Sequence, residues 1–311
     1  MISLMLAKKI LSLFIIMFMG VVLVKSKLVT PENSKCLSVI SLYVITPCVI
    51  LSAFQVDYTP DIQSGFILAL IAAVLVHIVL LLVTKACGHL FHLTALERAT
   101  TIYSNAGSLI IPIVSSVLGI EWVIYTTPFV AVQLSLIWSH GKMLLSGDTH
   151  IEWQKIFKNI NMVFIFIGIF LFIAGIRFSP VLQEAIVSTG DMTGPLAMLV
   201  TGILIGSMDW RRVRSYRRLW LVALLRLIVS PLLIIAVFYF SRLAALAPEG
   251  ARILFITLLA ASTPSSAGLT QMAMIYGDDP AYASTINAVT TMLCIATMPA
   301  IIGLYSMIFG I

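Results

Sequence analysis

Apolar stretches about twenty residues long recur from one end of this chain to the other, separated by short polar connections. Twenty residues of α-helix rise about 30 Å, the thickness of bilayer hydrocarbon. Of 311 residues 60% are hydrophobic and only 10% charged, and the mean hydropathy is +1.08. A soluble domain carries roughly 25% charged residues. A water-facing fold could not cover this much apolar surface, so lipid must be the main solvent. Alternating in/out strand patterns are absent, which argues against a transmembrane barrel. The expectation is an all-α integral membrane protein.

Ten transmembrane helices are expected, near 8–24, 36–56, 62–84, 97–118, 121–145, 159–177, 190–208, 217–240, 251–276 and 282–309. The linkers are too short to hold a soluble domain. Lys8-Lys9 before the apolar run 10–24 imitates a signal peptide, but no small-x-small cleavage site precedes Lys25. The run is read as the first helix, retained. When loops alternate between sides, 13 of the 19 basic residues share one side, including Arg211, Arg212, Arg214, Arg217 and Arg218. Five fall on the other, and Arg226 lies inside a helix. Positive loops stay cytoplasmic, so both termini are expected outside the plasma (inner) membrane. The Arg211–Arg218 cluster reads as a topology anchor, with specific lipid binding as the alternative. Sidedness accounts for the net charge of +6 without nucleic acid. Cys36, Cys48, Cys87 and Cys294 are scattered, so neither a disulfide framework nor a zinc site is implied, and no cofactor is expected.

The chain divides into two five-helix halves, 1–147 and 148–311. The second helix holds Ile45-Thr46-Pro47 and the seventh Thr193-Gly194-Pro195, and the fourth and ninth are both interrupted by polar residues with proline. A five-helix unit is odd-numbered, so a second copy inserts upside down, the inverted-repeat plan of many secondary transporters.

The interruptions are Tyr103-Ser104-Asn105-Ala106-Gly107 through Pro112, and Ser262-Thr263-Pro264-Ser265-Ser266-Ala267-Gly268. Proline removes a backbone donor and clashes with the carbonyl four residues back, and glycine tolerates unwinding. Breaks are therefore expected at Asn105–Pro112 and Thr263–Gly268, with Gly107, Pro112, Pro264, Ser265 and Gly268 forming a crossover. Broken backbone at that depth must be buried in protein or line a wet cavity. Half-helix N-termini would then offer free N–H groups and a positive dipole end to an anion. The plainer alternative is a pair of ordinary kinks with small residues for helix packing.

These segments resemble the auxin efflux carrier family, whose bacterial members include malonate and malate permeases. The resemblance spans nearly the whole chain. Gly20 to Lys27-Leu28, Pro31, and Pro47 with Leu51-Ser52 are similar to the family's first two helices. Ser104-Asn105-Ala106-Gly107 with Pro112 resembles its fourth-helix signature, with Ser108 and Ile110 in place of the usual aromatic and glycine. Gly194-Pro195-Leu196-Ala197 with Gly202, Arg226 with Pro231, and Pro264, Gln271 and Tyr276-Gly277-Asp278 continue the match in order. The resemblance implies a scaffold and a transport domain, with the fourth and ninth helices crossing at their proline breaks. It also implies a carboxylate site beside that crossover. Carried over residue by residue, the substrate contacts would be Ser52, Asn105, Gln133 and Trp138, with Gln271 added from the ninth helix. Gln133 and Trp138 have plainer readings, as a helix–helix hydrogen bond and an interface-belt tryptophan.

All 13 acidic residues fall in loops or at helix ends, so no midplane carboxylate is available to trade protons. Arg226 could hold the scaffold or touch substrate. His77 reads as a structural histidine rather than a proton relay. The leading expectation is a secondary carrier of a small organic anion, a mono- or dicarboxylate, by alternating access. A sodium- or proton-coupled symporter of bile-acid type is the alternative, with Ser262, Thr263, Ser265, Ser266, Thr270 and Gln271 as oxygen donors. A channel or a non-transporting sensor is a third class. An enzyme is not expected, because no nucleophile motif or titratable cluster lies in the bilayer. Expected partners are the carboxylate and membrane lipid, with a homodimer left open and no nucleic acid.

Overall fold

Caps and prolines set where these apolar runs become helices. The structure, a computed structural model, describes residues 2–30, 33–57, 59–150, 153–208, 213 and 216–311. Every regular element among them is helical, apart from one isolated bridge. In chain order the principal helices are α1 (Ile2–Lys25), α2 (33–53), α3 (Pro60–Phe91), α4 (Ala95–Ile102), α5 (Ala106–Val117), α6 (Ile120–Ser146) and α7 (Ile160–Ile173). They continue with α8 (Pro180–Gly190), α9 (Thr193–Gly206), α10 (Leu219–Ser241), α11 (Gly250–Ser262), α12 (Gly268–Tyr276) and α13 (Pro280–Phe309). Cys36–Ala53, Pro60–Phe91, Ile120–Ser146, Leu219–Ser241 and Pro280–Phe309 are long and apolar enough to cross a membrane. Leu11–Lys25, Ile160–Ile173 and Gly250–Ser262 are shorter apolar helices.

Two interior prolines are accommodated by π-helical turns. Ser41–Ile45 widens α2 just before Pro47, and Leu225–Val229 widens α10 just before Pro231. A proline has no N–H to give the preceding turn, and a π turn opens the ladder where that bond would be missing. Arg226 sits in the second of these turns.

Two boundaries differ from expectation. The loop expected at 85–92 is helical, because α3 runs on to Phe91 and ends with His92 in the left-handed region at φ 51°. α8 occupies part of the stretch between the sixth and seventh expected helices. It has only 11 residues, so a search for bilayer-length runs passes over it. Most of the basic cluster, Arg211, Arg212 and Arg214, lies outside the described residues.

The helices pack as two groups. α1 lies against α9 so closely that a side chain on Gly20 or Gly202 would collide with the opposing backbone. α2 packs on α7 and α8. In the second group α3 contacts α4, α6 and α11, while α13 contacts α10, α11 and α12. α5 lies where the groups meet, touching α1 and α9 on one side and α11 on the other.

Candidate functional site

The most unusual backbone lies where α4 and α11 stop. α4 opens on a capping box: Thr94 Oγ1 accepts from the Glu97 N–H at 3.2 Å, and Glu97 Oε2 accepts from the Thr94 N–H at 2.9 Å. It ends at Ile102, with Tyr103 extended at φ −93°, ψ 121°. α5 begins at Ala106 after Asn105. α11 ends at Ser262, and Thr263 is extended at φ −67°, ψ 159°. The residue before a proline is pushed out of the helical region by the ring, and Thr263 precedes Pro264.

The two breaks pair with each other. Ser104 and Ser265 face one another in an antiparallel bridge. The Asn105 N–H donates to the Pro264 carbonyl at 2.8 Å, and the Ser266 N–H to the Tyr103 carbonyl at 3.0 Å. The break at 263–267 falls within the span expected for it, whereas the first occupies 103–105 rather than Asn105–Pro112. Gly107 and position 112 lie inside α5. The backbone at 103–105 reaches its partner only when extended, whereas one proline costs a helix a single bond that buried surroundings tolerate. The side chain of Pro112 lies outside the described ones. Gly107 faces open space, and Gly268 is exposed at the start of α12.

Side chains from the next helix in sequence satisfy the bridged residues. At the first break, Gln133 of α6 accepts from the Ser104 N–H at 3.0 Å and the Ser104 hydroxyl at 2.6 Å. Its Nε2 donates to the Ser104 carbonyl at 2.8 Å. At the second break the work is divided within α13. Thr290 Oγ1 accepts from the Ser265 N–H at 3.2 Å, and Asn287 Nδ2 donates to the Ser265 carbonyl. The Ser265 hydroxyl is fully buried and has no partner among the described residues.

Arg226 ties the two breaks together. It is 0% exposed. Nε donates to the Thr263 carbonyl at 3.2 Å, and Nη1 to the carbonyls of Thr101 and Ile102 at 3.0 and 3.2 Å. Nη2 donates to the carbonyls of Ala261 and Thr263 at 2.7 and 3.0 Å. A guanidinium has five N–H donors, and every one is used, on the last two carbonyls of α4 and on those of Ala261 and Thr263 at the end of α11. Those carbonyls are orphaned by the helix ends and carry the negative end of each helix dipole.

A cavity of about 370 Å³ lies beside this assembly, between α1, α2, α5, α8 and the start of α9. Buried Leu13, Val49, Ser52, Ile111 and Thr193 line it, with exposed Ser12, Ile120, Asp191 and Pro195. Leu13 also borders an apolar void of about 30 Å³ that touches Pro264 and Cys294. Of the expected substrate contacts, only Ser52 lines the cavity; its buried hydroxyl has no partner among the described residues. Asn105 is half-buried at the start of α5, and its side chain makes no capping bond. Gln133 is committed to Ser104. Trp138 packs half-buried against the core, and Gln271 is exposed on α12.

His77 is buried on α3. Its Nδ1 lies 2.7 Å from the Ala73 carbonyl, and its ring packs on Phe129 at 4.7 Å. Both contacts fit the structural reading. Sequence reasoning missed Asn287, Thr290 and Asp191. The polar run Thr285 to Thr291 within an apolar helix was the available signal for the first two. Among the described residues, no group of three or more His, Cys, Asp or Glu side chains could hold a metal ion.

A family model described as "membrane transport protein" matches the chain twice, over residues 5–152 and 149–302. No curated protein matches it.

Proposed function

The chain belongs to this membrane transport protein family, the auxin efflux carriers, and from that premise we propose that it is a secondary carrier of a small organic carboxylate, working by alternating access. Membership makes it a multi-pass membrane transporter. The finer reading is ten spans in two inverted five-helix repeats, 1–147 and 148–311, with both termini outside the plasma (inner) membrane. Support for the repeats comes from the crossover: each half contributes one broken helix, and the following helix satisfies its bridged serine.

One observation carries the choice of an anion. Arg226 places a full positive charge at the crossover, and among the described residues no carboxylate pairs with it. Only the partial negative ends of α4 and α11 oppose it. The N-termini of α5 and α12 leave the same region and add positive dipole ends. A carboxylate arriving beside the crossover enters a favourable field without needing a free lysine.

The same geometry disfavours a sodium site of bile-acid type at this place. Carbonyls freed at broken helices are the usual cation ligands in such carriers. Here those of Thr101, Ile102, Ala261 and Thr263 are held by the guanidinium, which stands as a tethered cation where a mobile one would bind.

The test is uptake by proteoliposomes of a labelled panel of monocarboxylates, dicarboxylates, amino acids, and amines and sugars that lack a carboxylate. Saturable uptake and counterflow of at least one carboxylate, undiminished when potassium replaces sodium, is expected. Uptake confined to molecules without a carboxylate would overturn the anion reading, and loss of uptake without sodium would overturn the reading of Arg226.

A further inference from the structure

The 370 Å³ cavity is of the size of small-molecule sites, and its chemistry is lopsided. Among the described side chains its lining contains one ionisable group, Asp191, and no basic one. Asp191 is exposed and belongs to the mouth with Ser12, Ile120 and Pro195, whereas Leu13, Ser52, Ile111 and Thr193 are buried and form the floor. Ser52 is 5% exposed, and its buried hydroxyl has no partner among the described residues. A buried hydroxyl left without a bond costs about 1–3 kcal/mol, so this one suits an occupant that can supply a partner. Leu13 is shared between this cavity and the small void that touches Pro264, on the side of the positively charged crossover. The site therefore has a negative mouth, a hydroxyl at its floor and a positive field behind it.

We propose that this cavity is the substrate site and that its occupant is an organic acid bearing an ammonium group, an amino-acid-like zwitterion. The ammonium lies against Asp191. The carboxylate takes the Ser52 hydroxyl and points toward Arg226. A plain mono- or dicarboxylate would meet the Asp191 charge at the mouth with no cation among the described lining side chains to offset it. This rests on the carboxylate reading above and adds the second charge.

The experiment uses the purified full-length protein and pairs of ligands with the same skeleton: alanine against propionate, and aspartate against succinate. Affinity is read by isothermal titration and by ligand-induced thermal stabilisation. The amine-bearing member of each pair is expected to bind about three- to tenfold tighter, the scale of one partly exposed ion pair. Asp191→Asn should abolish that preference by weakening the amino acid and leaving or improving the deaminated acid, and Asp191→Glu should restore it. Ser52→Ala should weaken both members alike. Asp191 is exposed, so Asp191→Asn is expected to stay folded, and an unchanged elution profile with an unchanged melting temperature checks this. Tighter binding of propionate and succinate, unmoved by Asp191→Asn, would overturn the zwitterion and leave the carboxylate reading standing. Binding of simple alkylamines in place of any acid would overturn both.

Discussion

At the end of α11, Pro264 bars the residue before it from helical geometry, and Thr263 turns extended where the chain itself demands it. At the end of α4 no proline lies in the break, and the nearest one, Pro112, sits inside the half-helix that follows. Asn105 and Gly107 are weak helix formers, each by roughly 1 kcal/mol or less, which alone would not stop a buried helix. The break at 103–105 is instead held from outside. The bridge to 264–266, the Gln133 amide and the Arg226 guanidinium take the backbone groups that an unbroken helix would have satisfied internally. One break is written locally and the other is imposed by tertiary partners. The imposed break should therefore depend more heavily on its side-chain partners.

The largest effect is expected where the breaks share a partner. Arg226→Met leaves the carbonyls of Thr101, Ile102, Ala261 and Thr263 without their donor. At about 1–3 kcal/mol for each unpaired buried group, the loss is comparable with a typical total stability of about 5–15 kcal/mol. No monodisperse protein is expected by size-exclusion chromatography. Arg226→Lys keeps the charge with three donors at one point, and should recover part of the yield. A Met variant that elutes and melts like the parent would mean that each break stands without the shared clamp.

A smaller effect separates the breaks. Gln133→Leu removes all three bonds that hold Ser104 and should cost about 2–4 kcal/mol. Asn287→Leu unpairs only the Ser265 carbonyl and Thr290→Val only its N–H, each worth about 1–2 kcal/mol. Thermal unfolding in detergent should rank Gln133→Leu clearly below the other two. Equal midpoints for Gln133→Leu and Asn287→Leu would remove the distinction between a local and an imposed break.

The same contrast explains what could be read beforehand. The 263–268 interruption was legible because proline acts on its own neighbour. The 103–105 break was placed too late because Gly107 and Pro112 drew attention to a stretch that remains helical, while its true causes lie far along the chain at Gln133 and Arg226. Arg226 stood out as a lone intramembrane charge, but its four carbonyl partners depend on where two other helices end. Gln133 was singled out as a substrate contact, and its plainer reading as an interhelical hydrogen bond is the one its geometry satisfies. Asn287 and Thr290 passed unnoticed because one polar side chain in an apolar helix looks like another until its facing backbone is known. α8 escaped for a different reason: an 11-residue helix leaves no trace in a search for bilayer-length runs.

The finest test of the comparison is the pair of facing serines. Ser104 and Ser265 occupy equivalent places in the bridge, and both are at most 1% exposed. Their hydroxyls differ. That of Ser104 donates to Gln133 at 2.6 Å, and that of Ser265 has no partner among the described residues. Ser104→Ala gives up a good bond and leaves Gln133 with one donor fewer, a cost of about 1 kcal/mol. Ser265→Ala removes a buried hydroxyl already desolvated without return, so it should be neutral or stabilising by up to about 1 kcal/mol. Both substitutions delete the same single atom, so differences in volume and helix propensity cancel between them. Opposite signs of the shift in melting temperature are therefore expected. A Ser265→Ala protein that melts as early as Ser104→Ala would mean that the Ser265 hydroxyl is bonded in solution, and that the second break is held as fully as the first.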